Sequence, residues 1–159
     1  MVGELHDGGA FTPEHGSYEA TIELELVDGE WRISSLPSGV VLERSEMRDE
    51  YQPYDLYFFD PAGNELITDR RWVYARRESL PSALISLLTQ GPSDRLQPAV
   101  SGPNALASAE EEDATIAYTG FNDGAYEFTG FGGMDEQTRK QFAAQVVWTL
   151  ASACLLYTS

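Results

Sequence analysis

The chain has 159 residues, of which 42% are hydrophobic and 11% aromatic, enough for a packed core and unlike a disordered chain. Its 10 basic residues against 26 acidic ones give a formal net charge of −16. This charge argues against nucleic acid and anionic membranes as partners, because contacts to phosphate groups need clustered Lys and Arg. The single Cys cannot form an internal disulfide, and no apolar run reaches the roughly 18 residues that a membrane helix needs.

The first part of the chain predicts a loop followed by a β-hairpin. Residues 1–16 are rich in glycine and are predicted to form a loop. Residues 17–35 alternate apolar and polar side chains around Asp28-Gly29, a two-residue turn typical of hairpins. The register that this turn sets pairs Leu26 with Trp31, Leu24 with Ile33, and Glu25 with Arg32. Because an isolated hairpin is marginally stable in water, we expect other residues to cover its apolar face.

A strand, a turn, a second strand and a helix are predicted between residues 54 and 100. The run from Tyr54 to Phe59 is apolar on both faces, which is typical of an inner strand of a sheet. After the turn-forming residues 60–64, an extended segment continues to Tyr74. Ser79 is predicted to cap a helix that ends at Gly91-Pro92, where glycine can adopt a positive φ and proline prevents continuation.

The C-terminal third predicts two short strands and a second helix. Asn122-Asp123-Gly124 is a hairpin turn, and Asp135 is placed to cap a helix with an apolar stripe. The predicted fold class is therefore α+β: a small mixed sheet with two helices packed on one face, preceded by the β-hairpin. Six residues are predicted to be deeply buried: Leu84, Leu87, Leu88, Phe142, Val146 and Leu150.

Several short segments together resemble the actinobacterial lipoprotein family LpqB. They are Asp28-Gly29-Glu30-Trp31-Arg32-Ile33, Leu36-Pro37, Gly39-Val40-Val41-Leu42, Tyr51, Leu56-Tyr57-Phe58, Asp69-Arg70-Arg71-Trp72-Val73, Leu87-Leu88, Gly91-Pro92-Ser93, Leu96, Ala99-Val100 and Ala143-Ala144-Gln145-Val146-Val147-Trp148-Thr149-Leu150. In that family a membrane-anchored N-terminal domain precedes a GerMN domain, and a β-propeller follows.

The resemblance implies a division of the chain into four segments. Residues 1–38 would be the C-terminal piece of the family's N-terminal domain, 39–50 a linker, and 51–153 a truncated GerMN-like domain. Residues 154–159 resemble a translated sequencing-adapter tail and are predicted to be non-native.

The function that the resemblance implies is non-enzymatic. The full-length protein would be anchored to the cell membrane by lipid, with this part extracytoplasmic. It would bind the extracellular sensor region of a two-component histidine kinase and so affect cell-envelope homeostasis. The alternative is a glycan-binding module for peptidoglycan, as in spore-germination GerM proteins, which would use exposed Tyr and Trp side chains.

The residues themselves predict no catalytic, cofactor-binding or metal-binding site. Both histidines, His6 and His15, lie in the glycine-rich leader, and the acidic run at 110–113 lacks the spacing of a calcium loop. One basic cluster is a candidate partner-binding surface: Arg70, Arg71, Trp72, Arg76 and Arg77. The alternative is that these arginines pair with the chain's own acids while Trp72 packs inward.

Overall fold

A computed structural model describes residues 2–17, 19–37, 42–102, 115–132 and 134–155. The elements in chain order are β1 (Val2–Leu5), β2 (Phe11–Glu14), β3 (Glu23–Val27), β4 (Glu30–Ser35), α1 (Arg44–Glu50), β5 (Gln52–Phe59), β6 (Leu66–Val73), α2 (Leu80–Gln90), a 3-10 turn (Gln97–Ala99), β7 (Ala117–Asn122), β8 (Ala125–Thr129) and α3 (Glu136–Leu155). The acidic run at 110–113 lies outside the described residues.

The strands form antiparallel pairs, β1-β2, β3-β4, β5-β6 and β7-β8. Helices and small sheets together confirm the α+β class. The described strands, however, form separate two-stranded sheets and not one mixed sheet. Each pair is antiparallel because its two strands are joined by a short turn, which returns the chain antiparallel to the strand it has just left.

Residues 2–14 form a hairpin, and the prediction of a loop there is wrong. Strand β1 pairs with β2 so that Leu5 lies opposite Phe11. The connection is closed by the Gly9 N–H, which donates to the His6 carbonyl at 3.0 Å, and by the His6 N–H, which donates to the Ala10 carbonyl at 2.9 Å. The signal in the sequence was Asp7-Gly8, the same dipeptide that marks the hairpin turn at Asp28-Gly29.

The second hairpin confirms the predicted register, with Leu26 opposite Trp31, Leu24 opposite Ile33 and Glu25 opposite Arg32. Asp28 and Gly29 have φ values of 51° and 82°, as a type I′ turn requires. The apolar face is exposed, against expectation. Five large side chains there are each more than half exposed: Ile22, Leu24, Leu26, Trp31 and Ile33. Within the described part of the chain, no other element packs on this face extensively.

The predicted linker contains a helix. Residues Arg44–Glu50 form α1, whose side chains are not buried, so the segment does lie on the surface. The N–H of Glu43 donates to the Glu46 side chain at 2.9 Å, which satisfies one of the free donors at the helix start. Residues 38–41, which include the start of the predicted linker, lie outside the described residues.

The core lies between β5, α2 and α3. Its fully buried large apolar side chains are Leu56, Phe58, Leu84, Ile85, Leu88 and Ile116. Of the six residues predicted to be deeply buried, Leu84, Leu88, Phe142 and Val146 are buried, whereas Leu87 and Leu150 are half-buried. The buried face of α2 is thus centred on Leu84 and Leu88 and extends towards Ile85, not Leu87.

Strand β5 pairs with β6 along one edge only, and α3 side chains cover the other edge. The N–H of Tyr57 donates to the Thr149 hydroxyl at 3.2 Å, and the Ser152 hydroxyl, which donates to the Thr149 carbonyl at 2.9 Å, lies 3.4 Å from the Asp55 carbonyl. The Phe59 carbonyl accepts from the N–H of Ser101 at 2.8 Å. The apolar pattern of β5 therefore reflects cover by helices and not a place inside a sheet of many strands.

The ends of α2 differ in detail from the prediction. Ser79 immediately precedes the helix as predicted, but its hydroxyl donates to the Arg76 carbonyl at 3.1 Å and does not cap the helix. Gly91 ends the helix with a φ of 107°, a conformation that favours glycine.

Asp135 caps α3, as predicted. Its carboxylate accepts the N–H of Thr138 at 2.7 Å, and hydrogen bonds from Thr138 hold the pKa of Asp135 below its ordinary value. The helix continues to Leu155, so the first two residues of the predicted non-native tail are helical, with Cys154 exposed. Residues 156–159 lie outside the described residues.

We expect the carboxyl group of Asp135 to titrate below about pH 3.9, the ordinary value for Asp. Because its pKa is lower in the folded state than in the unfolded state, its ionised form stabilises the fold above that pH. The contribution is lost as the pH falls through the folded-state pKa. Carboxyl NMR titration of the folded chain measures this directly, and a pKa at or above the ordinary value would contradict the cap.

Candidate functional site

Strand β6 carries three residues of the predicted partner surface and divides them between its two faces. Successive side chains of a strand point to opposite sides. Arg71 therefore shares a face with the buried residues Asp69 and Val73, and only 4% of Arg71 is exposed. Arg70 and Trp72 lie on the other face, Arg70 exposed and Trp72 half-buried.

The guanidinium of Arg71 is the centre of a buried network. Its Nε and Nη2 donate to Asp69 Oδ2 at 3.0 and 2.7 Å. Its Nη1 donates to the Gly8 carbonyl at 2.8 Å, and its Nη2 to the Gly91 carbonyl at 3.1 Å. The Asp69 carboxylate also accepts the N–H and the hydroxyl of Ser93, at 2.7 and 2.9 Å. Arg71 thus joins three segments of the chain and is not part of an exposed surface, which corrects the predicted cluster.

Arg70 remains on the surface but is paired within the chain. Its Nε and Nη2 donate to the two oxygens of Asp55, directly across the strand pair, at 2.9 and 3.2 Å. This hydrogen bonding, together with the charge of Asp55, raises the pKa of Arg70. Arg76 and Arg77 follow the end of β6 and are both exposed. The exposed part of the predicted surface therefore consists of Arg70, Arg76 and Arg77, with Trp72 half-covered beside them.

Trp72 is held by the loop of the first hairpin. Its backbone N–H donates to the Gly9 carbonyl at 2.7 Å, and its ring meets Phe11 edge-on at a centroid distance of 6.5 Å. Gly9 has a φ of 81°, and a Cβ atom there would lie 2.4 Å from the Trp72 carbonyl oxygen. Only glycine allows this approach. The turn of the first hairpin, which lies in the segment predicted to be a glycine-rich loop, therefore forms one wall of the site.

A groove of about 880 Å³ lies between this loop, β6 and the segment after α2. Its polar lining includes His6, Asp7, Thr12, Thr68, Arg70, Asp94 and Arg95. Sequence reasoning missed the contribution of His6 and Asp7, although Asp7-Gly8 was a usable turn signal. The groove offers hydrogen-bond donors and acceptors of both charges, which suits recognition of a polar chain more than of a small apolar ligand.

His6 lies between a hydroxyl and a carboxylate, but the carboxylate is beyond hydrogen-bond distance of the ring and so does not orient it as a catalytic base requires. Its Nε2 lies 3.0 Å from the Thr12 hydroxyl, its Nδ1 lies 3.9 Å from a Glu4 oxygen, and the side chain is exposed. Among the residues that the structure describes, no three His, Cys, Asp or Glu side chains are grouped so that they could hold a metal ion.

A smaller cavity of about 300 Å³ lies between β8 and α3 and is lined mainly by Phe128, Phe131 and Phe142. Among the described residues that line it, Arg139 is the charged one, and it donates from Nε and Nη2 to the Met134 carbonyl at 3.2 and 2.8 Å. Since this cation is engaged, the cavity has few polar groups with which to orient a ligand.

Three pairs of aromatic side chains at the surface have tilted rings. The interplanar angle is 47° for Tyr51 and Tyr74, 40° for Tyr57 and Trp148, and 48° for Phe121 and Tyr126. None of these pairs forms a coplanar platform on which a sugar ring could stack.

Comparisons with known proteins match both halves of the chain. Residues 1–48 match the family model described as "Lipoprotein LpqB, N-terminal domain", and residues 55–153 match the one described as "Sporulation and spore germination". The chain belongs to the LpqB lipoprotein family. No solved structure matches it.

Curated members of the LpqB family match across almost the whole chain. The lipoprotein LpqB of Rhodococcus opacus is 44% identical, that of Corynebacterium diphtheriae 41%, and that of Mycolicibacterium smegmatis 30%, each over 96% of this chain. The matched region is 27%, 26% and 28% of these relatives, respectively. The chain therefore spans about a quarter of their length.

The Arg71 network joins the two matched segments of this LpqB-family chain. Gly8 belongs to the segment that matches the N-terminal domain, whereas Arg71 and Gly91 belong to the second segment. None of the helices in the described ranges is long and apolar enough to cross a membrane.

Proposed function

We propose that this chain is a non-enzymatic, extracytoplasmic part of a lipid-anchored LpqB-family protein. It acts by binding the extracellular sensor region of a two-component histidine kinase and so contributes to cell-envelope homeostasis. The observation that carries the proposal is the pair of family matches, because the relatives are named lipoproteins and share both segments with this chain. The lipid anchor places the groove beside β6 outside the membrane, where a sensor region is accessible.

The environment of the buried charges supports a binding function. Asp69 is the one buried carboxylate among the described residues, and both its oxygens are occupied by Arg71 and Ser93. A general acid needs a carboxyl group whose pKa is tuned and whose proton can reach a substrate. Asp69 is instead engaged in holding segments together.

The tilted aromatic pairs give no specific support to a glycan-binding module. Stacking of sugars on a platform of several rings needs coplanar ring faces, whereas these three pairs stand at 40° to 48°; the exposed ring of Trp31 on β4 is not part of any of them. The exposed arginines beside the groove favour a protein partner, since Arg is among the residues enriched at protein interfaces.

Charge reversal at Arg70 and Arg76 is expected to weaken binding of the sensor region about 3- to 10-fold at low ionic strength, since exposed ion pairs each contribute up to about 1 kcal/mol. The effect should shrink at high salt because exposed charges are screened. The measurement is titration calorimetry of wild type and of the Arg70→Glu/Arg76→Glu variant at two salt concentrations.

The matched control is Arg32→Glu/Arg48→Glu, which makes the same change of charge at exposed positions on β4 and α1. If both double variants lose the same affinity, the effect comes from net charge and not from this surface. Failure of the wild-type chain to bind the sensor region would contradict the proposed function itself.

A further inference from the structure

The outer edge of β6 carries backbone groups directed away from β5. In an antiparallel pair, alternate residues direct their N–H and C=O groups to the partner strand and away from it. The Asp60 N–H donates to the Glu65 carbonyl at 2.8 Å, which places the hydrogen-bonded pairs at odd-numbered residues of β6. Thr68, Arg70 and Trp72 therefore point their backbone groups outward, into the groove.

One backbone group on this edge already has a hydrogen-bond partner within the chain. The N–H of Trp72 is taken by the Gly9 carbonyl at 2.7 Å. Among the described residues, no backbone partner is seen for the outward groups of Thr68 and Arg70, four and two positions earlier along the same edge. Since both residues line the groove, these donors and acceptors face a space of about 880 Å³.

The opposite edge of the same sheet is partly covered. On β5 the Tyr57 N–H is bonded to the Thr149 hydroxyl and the Phe59 carbonyl to the N–H of Ser101, while the Ser152 hydroxyl lies against the Asp55 carbonyl. A free edge is a template for pairing with another chain, and proteins normally cover or block such an edge. Within the described ranges, part of the β5 edge is covered, whereas on the β6 edge only the N–H of Trp72 has a backbone partner, the Gly9 carbonyl of the first hairpin.

The occupant that fits best is a strand from another protein. Edge-to-edge pairing of two copies about a two-fold axis near Arg70 would bring their Arg70 side chains onto one face of a shared sheet, where like charges destabilise the pairing. The first hairpin of each copy would also stand in the way of the other copy. An extended segment has neither difficulty. Arg95 and Asp94, which are exposed in the groove and have no ion pair among the described residues, favour an acidic and a basic side chain in that segment, respectively.

We propose that the outer edge of β6, from Thr68 to Trp72, takes up an extended segment of the kinase sensor region as an added strand. This inference rests on the proposed function and names the surface and the mode of binding. Main-chain hydrogen bonds to Thr68 and Arg70 supply affinity, as in other cases of strand addition. The added strand must end before it reaches Trp72, because the N–H of Trp72 already donates to the Gly9 carbonyl.

Hydrogen exchange of individual amides, followed by NMR with and without the recombinant sensor region, tests this mode of binding. In the free chain, the amides of Thr68 and Arg70 should exchange fast, whereas those of Asp69 and Arg71, which are paired with β5, should exchange slowly. In the complex, the amides of Thr68 and Arg70 should slow about 10-fold or more. The Trp72 amide, already bonded to Gly9, serves as the internal reference.

Variants at Thr68 separate the backbone from the side chain. Thr68→Pro removes the outward N–H without removing a bond to β5, and proline is tolerated at such an edge position. Its dissociation constant should rise about 10-fold or more, since a main-chain bond is lost and the ring blocks the edge. The matched control Thr68→Val keeps both the N–H and the β-branched shape, and should bind within about 2-fold of wild type. Arg95→Gln should weaken binding at low salt while leaving the exchange pattern of the complex unchanged.

The outcomes distinguish this inference from the proposed function. Binding of the sensor region with unprotected Thr68 and Arg70 amides would overturn strand addition and leave the proposed function intact. Unchanged affinity of a folded Thr68→Pro variant would likewise overturn strand addition and leave the proposed function intact. Protection that increases with concentration of the chain alone would assign the edge to a second copy and overturn the proposal. No binding by the wild-type chain would overturn both.

Discussion

Replacing Arg71 with methionine is expected to lower the free energy of unfolding by about 3–5 kcal/mol. The variant leaves the Asp69 carboxylate buried with its cation removed, and it also leaves the carbonyls of Gly8 and Gly91 without this donor. Removing one partner of a buried ion pair costs more than the pair itself contributes, because the remaining charge stays desolvated. Urea denaturation followed by circular dichroism measures the loss.

The loss of Arg71 should also be visible in the first hairpin. Two of the bonds that hold its loop to β6 are those from Arg71 to Gly8 and from Trp72 to Gly9. We expect amide exchange in residues 2–14 to accelerate in Arg71→Met even under conditions where β5 and β6 remain folded.

The matched control is Arg70→Met, one residue away on the exposed face. It loses a surface ion pair with Asp55 and should cost less than about 1 kcal/mol. A second variant, Asp69→Leu/Arg71→Met, removes both buried charges and should recover part of the loss. If the two single arginine variants were equally stable, Arg71 would not be the buried cation that joins the segments.

The second large effect is expected at Leu88. This residue is fully buried between α2 and the rest of the core, so Leu88→Ala should lower the free energy of unfolding by about 2–5 kcal/mol. The neighbouring Leu87 is half-buried and provides a control with the same chemistry. Since less apolar area is re-exposed there, Leu87→Ala should cost about 1–2 kcal/mol. Equal losses at the two positions, measured by the same urea denaturation, would contradict the placement of the α2 face.

Features set by neighbouring residues were predictable from the sequence. The turns Asp28-Gly29 and Asp123-Gly124 both have two positive φ values, and the register of the second hairpin follows from its turn. Asp135 caps α3 for the same reason: a short side chain accepts an N–H three residues later. Such interactions depend on a few adjacent residues, so local sequence is sufficient. The family was also visible, because many short segments occur in a specific order.

What the sequence alone determined about this protein is therefore its class, the turns at Asp28-Gly29 and Asp123-Gly124, the ends of α2, the start of α3 and its family. The tertiary structure decided which surface is available. Arg70 and Arg71 are adjacent and chemically identical, yet one is exposed and the other buried. The period of a strand predicts that they face opposite ways, but not which face the end of α2 covers. Which face is covered depends on contacts to Gly8 and Gly91, which lie 63 and 20 residues away from Arg71 in the chain. Contacts between such distant segments form only when the whole chain has folded, and they leave no local pattern in the sequence.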